Sequence, residues 1–326
     1  AIGGDVVKVF LYAKRPGRKL EGEVVEIIER KRKQFVGRIE VTKNFAFFVA
    51  DNRDMPYDIF IPLDKLNKAK DGQKVVVKIT NWPNNVKNPF GEVIEVLGNP
   101  GKNETEIHAI LAEYELPYRF PAEVINEAEK INDEITPEEI RRRRDFRNVT
   151  TFTIDPIDAK DFDDAISFQV LADNNYEIGI HIADVTHYVK PGTIIDEEAF
   201  NRGTSVYLVD RVVPMLPERL SNNICSLSPN KDKLCYSAVF VMDRNANVIS
   251  RWFGRTIINS NRRFNYDEAQ EIIETGRGDL ADILQELNRL AKIMREKRMK
   301  NGAIEFDRVE VKFEIDVNSI VKVSAR

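Results

Sequence analysis

The segment Asp155-Pro156-Ile157-Asp158-Ala159-Lys160-Asp161-Phe162-Asp163-Asp164 places five aspartates within ten residues. Carboxylates this close repel one another and hold their protons more tightly. That cost is offset where a cation sits among the acids, and carboxylate oxygens are the preferred ligands of hard divalent ions, Mg2+ above all. A solvated acidic turn is the alternative, and these residues alone leave both open. An EF-hand is not open, because no register supplies its glycine and its closing glutamate at the required positions.

The flanks show how such acids would be held. Thr151-Phe152-Thr153-Ile154 and Ala165-Ile166-Ser167-Phe168-Gln169-Val170 alternate apolar and polar residues, which predicts two strands. Pro156 interrupts the first, so the segment reads as strand, turn, strand, with acids projecting from one corner.

Ahead of this segment lie two stretches of different character. Residues 1–97 hold alternating runs at 23–28, 35–41, 45–49, 57–61, 74–79 and 91–97, with Gly-containing turns such as Asp71-Gly72. Five or six short strands predict a small all-β barrel of the OB type. Phe45, Phe47 and Phe48 lie near Lys43 and the basic run Arg30-Lys31-Arg32-Lys33, and aromatics among cations provide stacking faces for bases and counter-charge for phosphates. Strand alternation puts Phe45 and Phe47 on one face and Phe48 on the other, so one face can be barrel core while the other binds RNA. Residues 100–148 switch to helix. Asn103 is the expected cap of a first helix, Pro121 suits the first position of a second, and Thr136-Pro137-Glu138-Glu139 is a capping box for a third. Arg141–Arg144 follow; four arginines in one turn cannot all face one way, and they read as solvated, with contact to a nucleic-acid backbone as the alternative.

Behind the acids, residues 149–260 return to strands, with a long irregular stretch from Pro191 to Asn230. Asp267–Thr275 reads as a helix. A longer one from Gly278 to Asn301-Gly302 carries Leu280, Ile283, Leu284, Leu287, Leu290, Ile293 and Met294 at helical spacing, a stripe expected to pack into a core.

Composition bounds the function. The chain has 326 residues, 42% apolar and 31% charged, which suits two or three globular domains. No apolar run approaches a membrane span and the first residues do not read as a signal peptide; they read as the interior of a domain, so a fragment is expected. Cys225 and Cys235 are too few for a disulfide framework and suggest a reduced, cytoplasmic protein. Three histidines argue against a zinc enzyme. Residues 1–97 hold 18 Lys and Arg against 13 Asp and Glu, and the remainder 31 against 40. A basic front joined to an acidic rear suits a polyanion-binding module attached to a metal-carboxylate site.

Longer motifs carry a resemblance. Asp155-Pro156-x-x-Ala159-x-Asp161-x-Asp163-Asp164-Ala165 resembles the signature of the ribonuclease II / ribonuclease R family of exoribonucleases. Four later segments are similar to family blocks: 181–189 (HIADVTHYV), 202–208 (RGTSVYL), 213–221 (VPMLPERLS) and 225–227 (CSL). The ribonuclease R branch is the closer match. The resemblance implies a multidomain chain. Residues 1–20 would end a first cold-shock domain, 21–98 form a second, OB-type cold-shock domain, 99–148 a helical linker, and 149–326 the N-terminal part of an α+β RNB catalytic domain.

It also implies function: Mg2+-assisted, 3′→5′ hydrolysis of single-stranded RNA to nucleoside 5′-monophosphates by a cytoplasmic monomer. Asp155, Asp161, Asp163 and Asp164 match the family's four aspartates, with Asp158 peripheral. Tyr207 matches the tyrosine that stacks on the terminal base, Phe306 its aromatic partner, and Tyr266 a wall of the site. Phe45, Phe47 and Lys43 are the expected RNA contacts of the barrel. His181 and His187 resemble ligands out of context, and the family assigns them to packing. A further glutamate and arginine of the family's catalytic domain are not in this sequence. The competing reading is an RNA-binding fragment or regulatory relative that no longer cuts.

Overall fold

A computed structural model describes every residue except 14–16, 18, 84–85, 307–310, 317–318 and 326, and of 311–325 it describes the backbone alone. The chain divides into two units, Ala1–Arg119 and Phe120–Arg326.

In the first unit, five strands close a barrel: Gln34–Val41, Ala46–Ala50, Ile59–Ile61, Phe90–Gly98 and Lys74–Asn81, the last returning to pair with the first. Only Ile59–Ile61 and Phe90–Gly98 run parallel. The β-branched and aromatic residues of these strands point alternately inward, and Ile39, Phe48, Ile59, Ile61, Val75 and Val77 are fully buried. Gly37 is required by closure, since a Cβ there would sit 2.1 Å from the Val49 carbonyl oxygen.

Three expectations are corrected here. Gly22–Glu29 does not join the barrel; it pairs with Val6–Leu11 in a separate two-stranded sheet. Alternation marks a strand, but not which neighbour it will pair with. The helix Asn103–Glu113 is not a free connector: Ala109 and Ala112 pack on Val36, Val76 and Leu97 of the barrel. Its cap position is held by Lys102, without a side-chain bond, so Asn103 is already helical. Glu106 serves the helix start instead, accepting from the Gly101 amide at 2.8 Å and pairing with Lys74.

The second unit is built on a seven-stranded sheet in the order Arg262–Asn265, Thr151–Asp155, Asp164–Val170, Tyr176–Ala183, Asp232–Met242, Val248–Asn259, Arg144–Asp145. Its central pairs are antiparallel and both edge strands are parallel to their neighbours. One face packs against the helices Tyr266–Thr275 and Ala281–Lys300. Leu284 and Leu290 are buried, Ile283, Leu287 and Ile293 are partly buried, and Met294 lies outside. The other face meets Val124 and Ala128 of the helix Ala122–Glu129, which follows Pro121, and Leu220 and Ile224 of the long connection. That connection is more ordered than its sequence suggests. It holds the helix Ile194–Arg202, capped by Thr193, the short pair Val206–Tyr207 and Val212–Val213, and a π-type turn Arg219–Ile224. These pieces are too short to show a period. Strands Val311–Asp316 and Ser319–Ala325 form a separate antiparallel pair.

Half of the expected capping box forms: Thr136 Oγ1 accepts from the Glu139 amide at 3.2 Å ahead of the helix Pro137–Arg141, while the Glu139 carboxylate turns to Arg143 instead of back to the cap. The arginines that follow are not one solvated face. Arg141, Arg142 and Arg144 are exposed, whereas Arg143 is buried. Its guanidinium donates to Glu139 Oε1 (2.7 Å), Asp184 Oδ2 (2.7 Å) and the carbonyls of Cys235 (3.1 Å) and Thr256 (3.3 Å). Burial of a guanidinium is tolerated because every face of its fork finds an acceptor. His181 bridges Ser237 (2.7 Å) and Ser167 (2.8 Å) in the core, and His187 lies beside Arg143 and Glu139. Both histidines are packing residues, as read.

Candidate functional site

The aspartates sit where two neighbouring strands end and begin. Asp155 is the last residue of Thr151–Asp155 and Asp164 the first of Asp164–Val170, joined by the turn the sequence predicts. Asp155 is buried and its Oδ2 has no hydrogen-bond partner. Burial is the main reason its carboxyl titrates above the usual range. The charges of Asp163 and Asp161 add to the rise, while the nearby Thr153 hydroxyl, too poorly placed for a good hydrogen bond, and the Arg263 charge temper it. The Asp164 carboxyl is also raised, first by the protein around it and then by Asp163 and Asp155. Asp155 and Asp164 therefore feel the charges of their acidic neighbours, as the sequence argument requires. Asp158 is exposed on the loop.

Tyr207 reaches the loop from the short pair Val206–Tyr207 and Val212–Val213. Its hydroxyl donates to Asp161 Oδ2 at 3.1 Å, while 67% of the residue remains exposed, leaving the ring open to a flat partner. Burial, and then the Asp161 charge, raise its own pKa, so it remains a donor at neutral pH. Tyr266 opens the helix Tyr266–Thr275, and the preceding Asn265 is the register partner of Asp155, so Tyr266 emerges at the same end of the sheet. It is 59% exposed. Phe306 is exposed too, and among the described residues it makes no ring contact with Tyr207 or Tyr266.

Two contacts that sequence reasoning did not single out hold the loop. Arg263 Nη2 donates to the carbonyls of Pro156 (2.7 Å) and Ile157 (2.8 Å), and its guanidinium lies 5.0 Å from the centre of the Phe162 ring. Ser226 Oγ accepts from the Phe162 amide at 3.1 Å and donates to the Lys160 carbonyl at 2.8 Å, while the Leu227 amide donates to the Phe162 carbonyl at 2.7 Å. Ser226 falls in the Cys-Ser-Leu block already noted; nothing local marks its hydroxyl as a loop contact.

A hard divalent cation suits this donor set. Five buried side-chain polar atoms lack partners among the described residues, and three of them are here: Thr153 Oγ1, Asp155 Oδ2 and Arg263 Nε, on paired strands. An orphaned carboxylate oxygen beside repelling acids is what a missing cation would leave. The acids are not already drawn into a shell, since among the described residues no three His, Cys, Asp or Glu side chains are grouped closely enough to hold a metal.

The barrel carries a separate surface. Phe48 is core, whereas Phe45 and Phe47 lie on the outer face with Phe60 and Phe90. Ring centres are 5.5 Å apart for Phe45 and Phe47, 5.8 Å for Phe47 and Phe60, and 5.3 Å for Phe60 and Phe90. Lys43 is exposed in the turn just before. Phe60 and Phe90 join the patch because closure sets their strands side by side, which the chain order does not reveal.

Comparison with known proteins agrees with this geometry. A family model described as RNB domain matches residues 143–326, and one described as cold shock domain matches residues 47–121. Ribonuclease R of Thermotoga maritima is 40% identical over 308 residues, which cover 92% of this chain and 43% of that protein. Ribonuclease R of Aquifex aeolicus is 37% identical over 319 residues, covering 96% and 45%. The chain thus spans less than half the length of either relative. The structure of Mycoplasma genitalium RNase R in complex with ribose methylated single-stranded RNA matches with a TM-score of 0.90 at 27% identity, covering 100% of this chain and 52% of that one. The RNB match contains the acidic loop, Tyr207, Tyr266 and Phe306, and it takes in more than half of the residues; this chain belongs to the RNB-domain family and carries a cold-shock domain ahead of the RNB domain.

Proposed function

We propose that the chain carries the acidic centre and an RNA-binding barrel of an exoribonuclease that hydrolyses single-stranded RNA 3′→5′ to nucleoside 5′-monophosphates. The observation that carries this reading is the contact of the Tyr207 hydroxyl with Asp161, which sets an exposed ring on the acidic loop. Stacking on a ring tolerates any base, because every base has a π-face. Asp155, Asp161, Asp163 and Asp164 are the residues that would hold Mg2+, directly or through water. Bound there, the ion would lower the pKa of a water and neutralise charge building on the phosphodiester. The protein's own share is to present the acids as carboxylates, to hold the Tyr207 hydroxyl as a donor to Asp161, and to seat the terminal base against the open ring. The relatives named Ribonuclease R and the RNA-bound M. genitalium structure support RNA as the substrate.

Among the described residues no helix is long and apolar enough to cross a membrane, and both cysteines are free and buried. These features support a reduced cytoplasmic setting; a working monomer is part of the same proposal.

Asp163→Asn, assayed on end-labelled single-stranded RNA with Mg2+, tests the reading: cleavage is expected to fall to background, and undiminished release of monophosphates would sink it. The acids are not pre-gathered, which favours one other reading, a chain that binds RNA without cutting it. Product analysis separates the two, since a shifted but intact RNA indicates binding alone.

A further inference from the structure

The acidic loop has few contacts of its own. Between Asp155 and Asp164 its internal backbone bond is the Ala159 amide to the Pro156 carbonyl at 3.1 Å, and Asp158, Asp163 and Asp164 are exposed. Like charges on such a loop push it open. Yet the loop is tied at both ends to residues far away in the chain. Arg263 takes the carbonyls of Pro156 and Ile157, directly after Asp155. Ser226, 1% exposed, takes the carbonyl of Lys160 and the amide of Phe162, the two residues flanking Asp161. The same two contacts meet at Phe162, whose ring lies under the Arg263 guanidinium and whose amide and carbonyl are held by Ser226 and Leu227.

From this geometry we infer that Arg263 and Ser226 are positioning residues, a two-point clamp that sets the aspartates against their mutual repulsion. Among the described residues neither side chain makes a hydrogen bond or ion pair with a carboxylate. Arg263 keeps both loop contacts although its Nε is left buried and unpaired, a cost that a solvent-facing rotamer would avoid. Ser226 is the smallest residue that can donate to one side of Asp161 and accept from the other, and Cys225, Ser226 and Leu227 are all buried, so its hydroxyl is fixed by the core. The proposal rests on the nuclease reading for what the acids bind; the clamp itself rests on the loop contacts alone. Groups that orient metal-binding side chains from behind change affinity or activity by roughly 10- to 100-fold when lost.

The test compares the wild-type chain with Ser226→Ala and Arg263→Lys. Ser226→Ala removes one oxygen and both of its loop bonds. Arg263→Lys keeps the charge and loses the paired donation, so it stands in if one variant fails to fold. Amide hydrogen exchange is followed over 156–163, with thermal melting as the check on the fold and Mn2+ titration as the probe of the acids. In a folded variant the expected result is faster exchange confined to this loop and Mn2+ affinity weakened roughly 10- to 100-fold. Unchanged loop exchange overturns the clamp. So does faster exchange with unchanged Mn2+ affinity, because acids that bind equally well without the clamp are not positioned by it. A wild-type chain that binds no Mn2+ counts against the nuclease reading instead, and the clamp is then judged on exchange alone.

Discussion

Replacing Arg143 by methionine should destabilise the RNB unit far more than an arginine in a four-arginine run would suggest. Its side chain is 0% exposed and that of its partner Asp184 is 1% exposed. Removing one member of a buried pair costs about 3–5 kcal/mol, because the remaining charge is left uncompensated. Asp184 would keep the Thr186 hydroxyl at 2.8 Å and Arg255 at 3.6 Å, but Arg255 is half exposed and screened by water. The cost therefore falls toward the lower end, roughly 3–4 kcal/mol. For a unit of this size each kcal/mol moves the melting temperature by about 2–4 °C, so a fall of about 6–16 °C is expected by calorimetry. Burial alone would raise the Asp184 carboxyl, but the Thr186 hydrogen bond and then the Arg143 bond and charge bring it below the usual range. A depressed carboxylate contributes stability present above its unfolded pKa and lost as pH falls through the folded one. The difference between wild type and Arg143→Met should therefore shrink as pH drops below about 4. Arg143→Met/Asp184→Asn, which removes the stranded charge, should recover a large part of the loss. A single variant that melts within about 2 °C of wild type, or a double variant no better than the single, would refute the reasoning.

Three further outcomes are expected. His181 is held neutral by burial and, less, by the Arg144 charge, with its pKa pushed down to about 4. The unfolded chain takes up that proton first, so stability is full above about 6.5 and declines as pH falls toward 4, by about 3 kcal/mol; urea unfolding of His181→Gln should show a flatter profile over this window, and an unchanged slope would count against it. Tyr207→Ala should weaken binding of a single-stranded oligonucleotide by about 1–3 kcal/mol in fluorescence anisotropy, whereas Tyr207→Phe, which keeps the ring, should bind nearly as wild type. In the barrel, Phe48→Ala should cost about 3–5 kcal/mol of stability in denaturant titration, while Phe47→Ala should leave stability within about 1 kcal/mol and lower RNA affinity instead; the opposite pattern would reverse the assignment of the two faces.

Much of the scaffold could be read directly from the chain. The strand, turn and strand around the acids are legible because alternation and Pro156 act over a few residues, and the structure has Ile166 opposite Phe152 and Asp155 at the corner. The helices at 266–275 and 281–300 are legible from their period, and the two faces of the Phe45–Phe48 segment from a period of two. The partner of Gly22–Glu29, the docking of Asn103–Glu113 and the order hidden in 191–230 were not. Each depends on which distant surface an element meets, and local pattern carries no such address.

The same division runs through the candidate site. Sequence alone determined the acids, their spacing and the strands that present them, because charge repulsion and strand period act over short distances; the ring at Tyr207 was expected only from the family resemblance. Tertiary structure decided that Arg143 is buried while its neighbours are not, that Phe60 and Phe90 complete the aromatic patch, and that Ser226 and Arg263 hold the acidic loop. Those assignments depend on hydrogen bonds and ring contacts between residues from 13 to 113 positions apart, which exist only once the sheet and the barrel have closed.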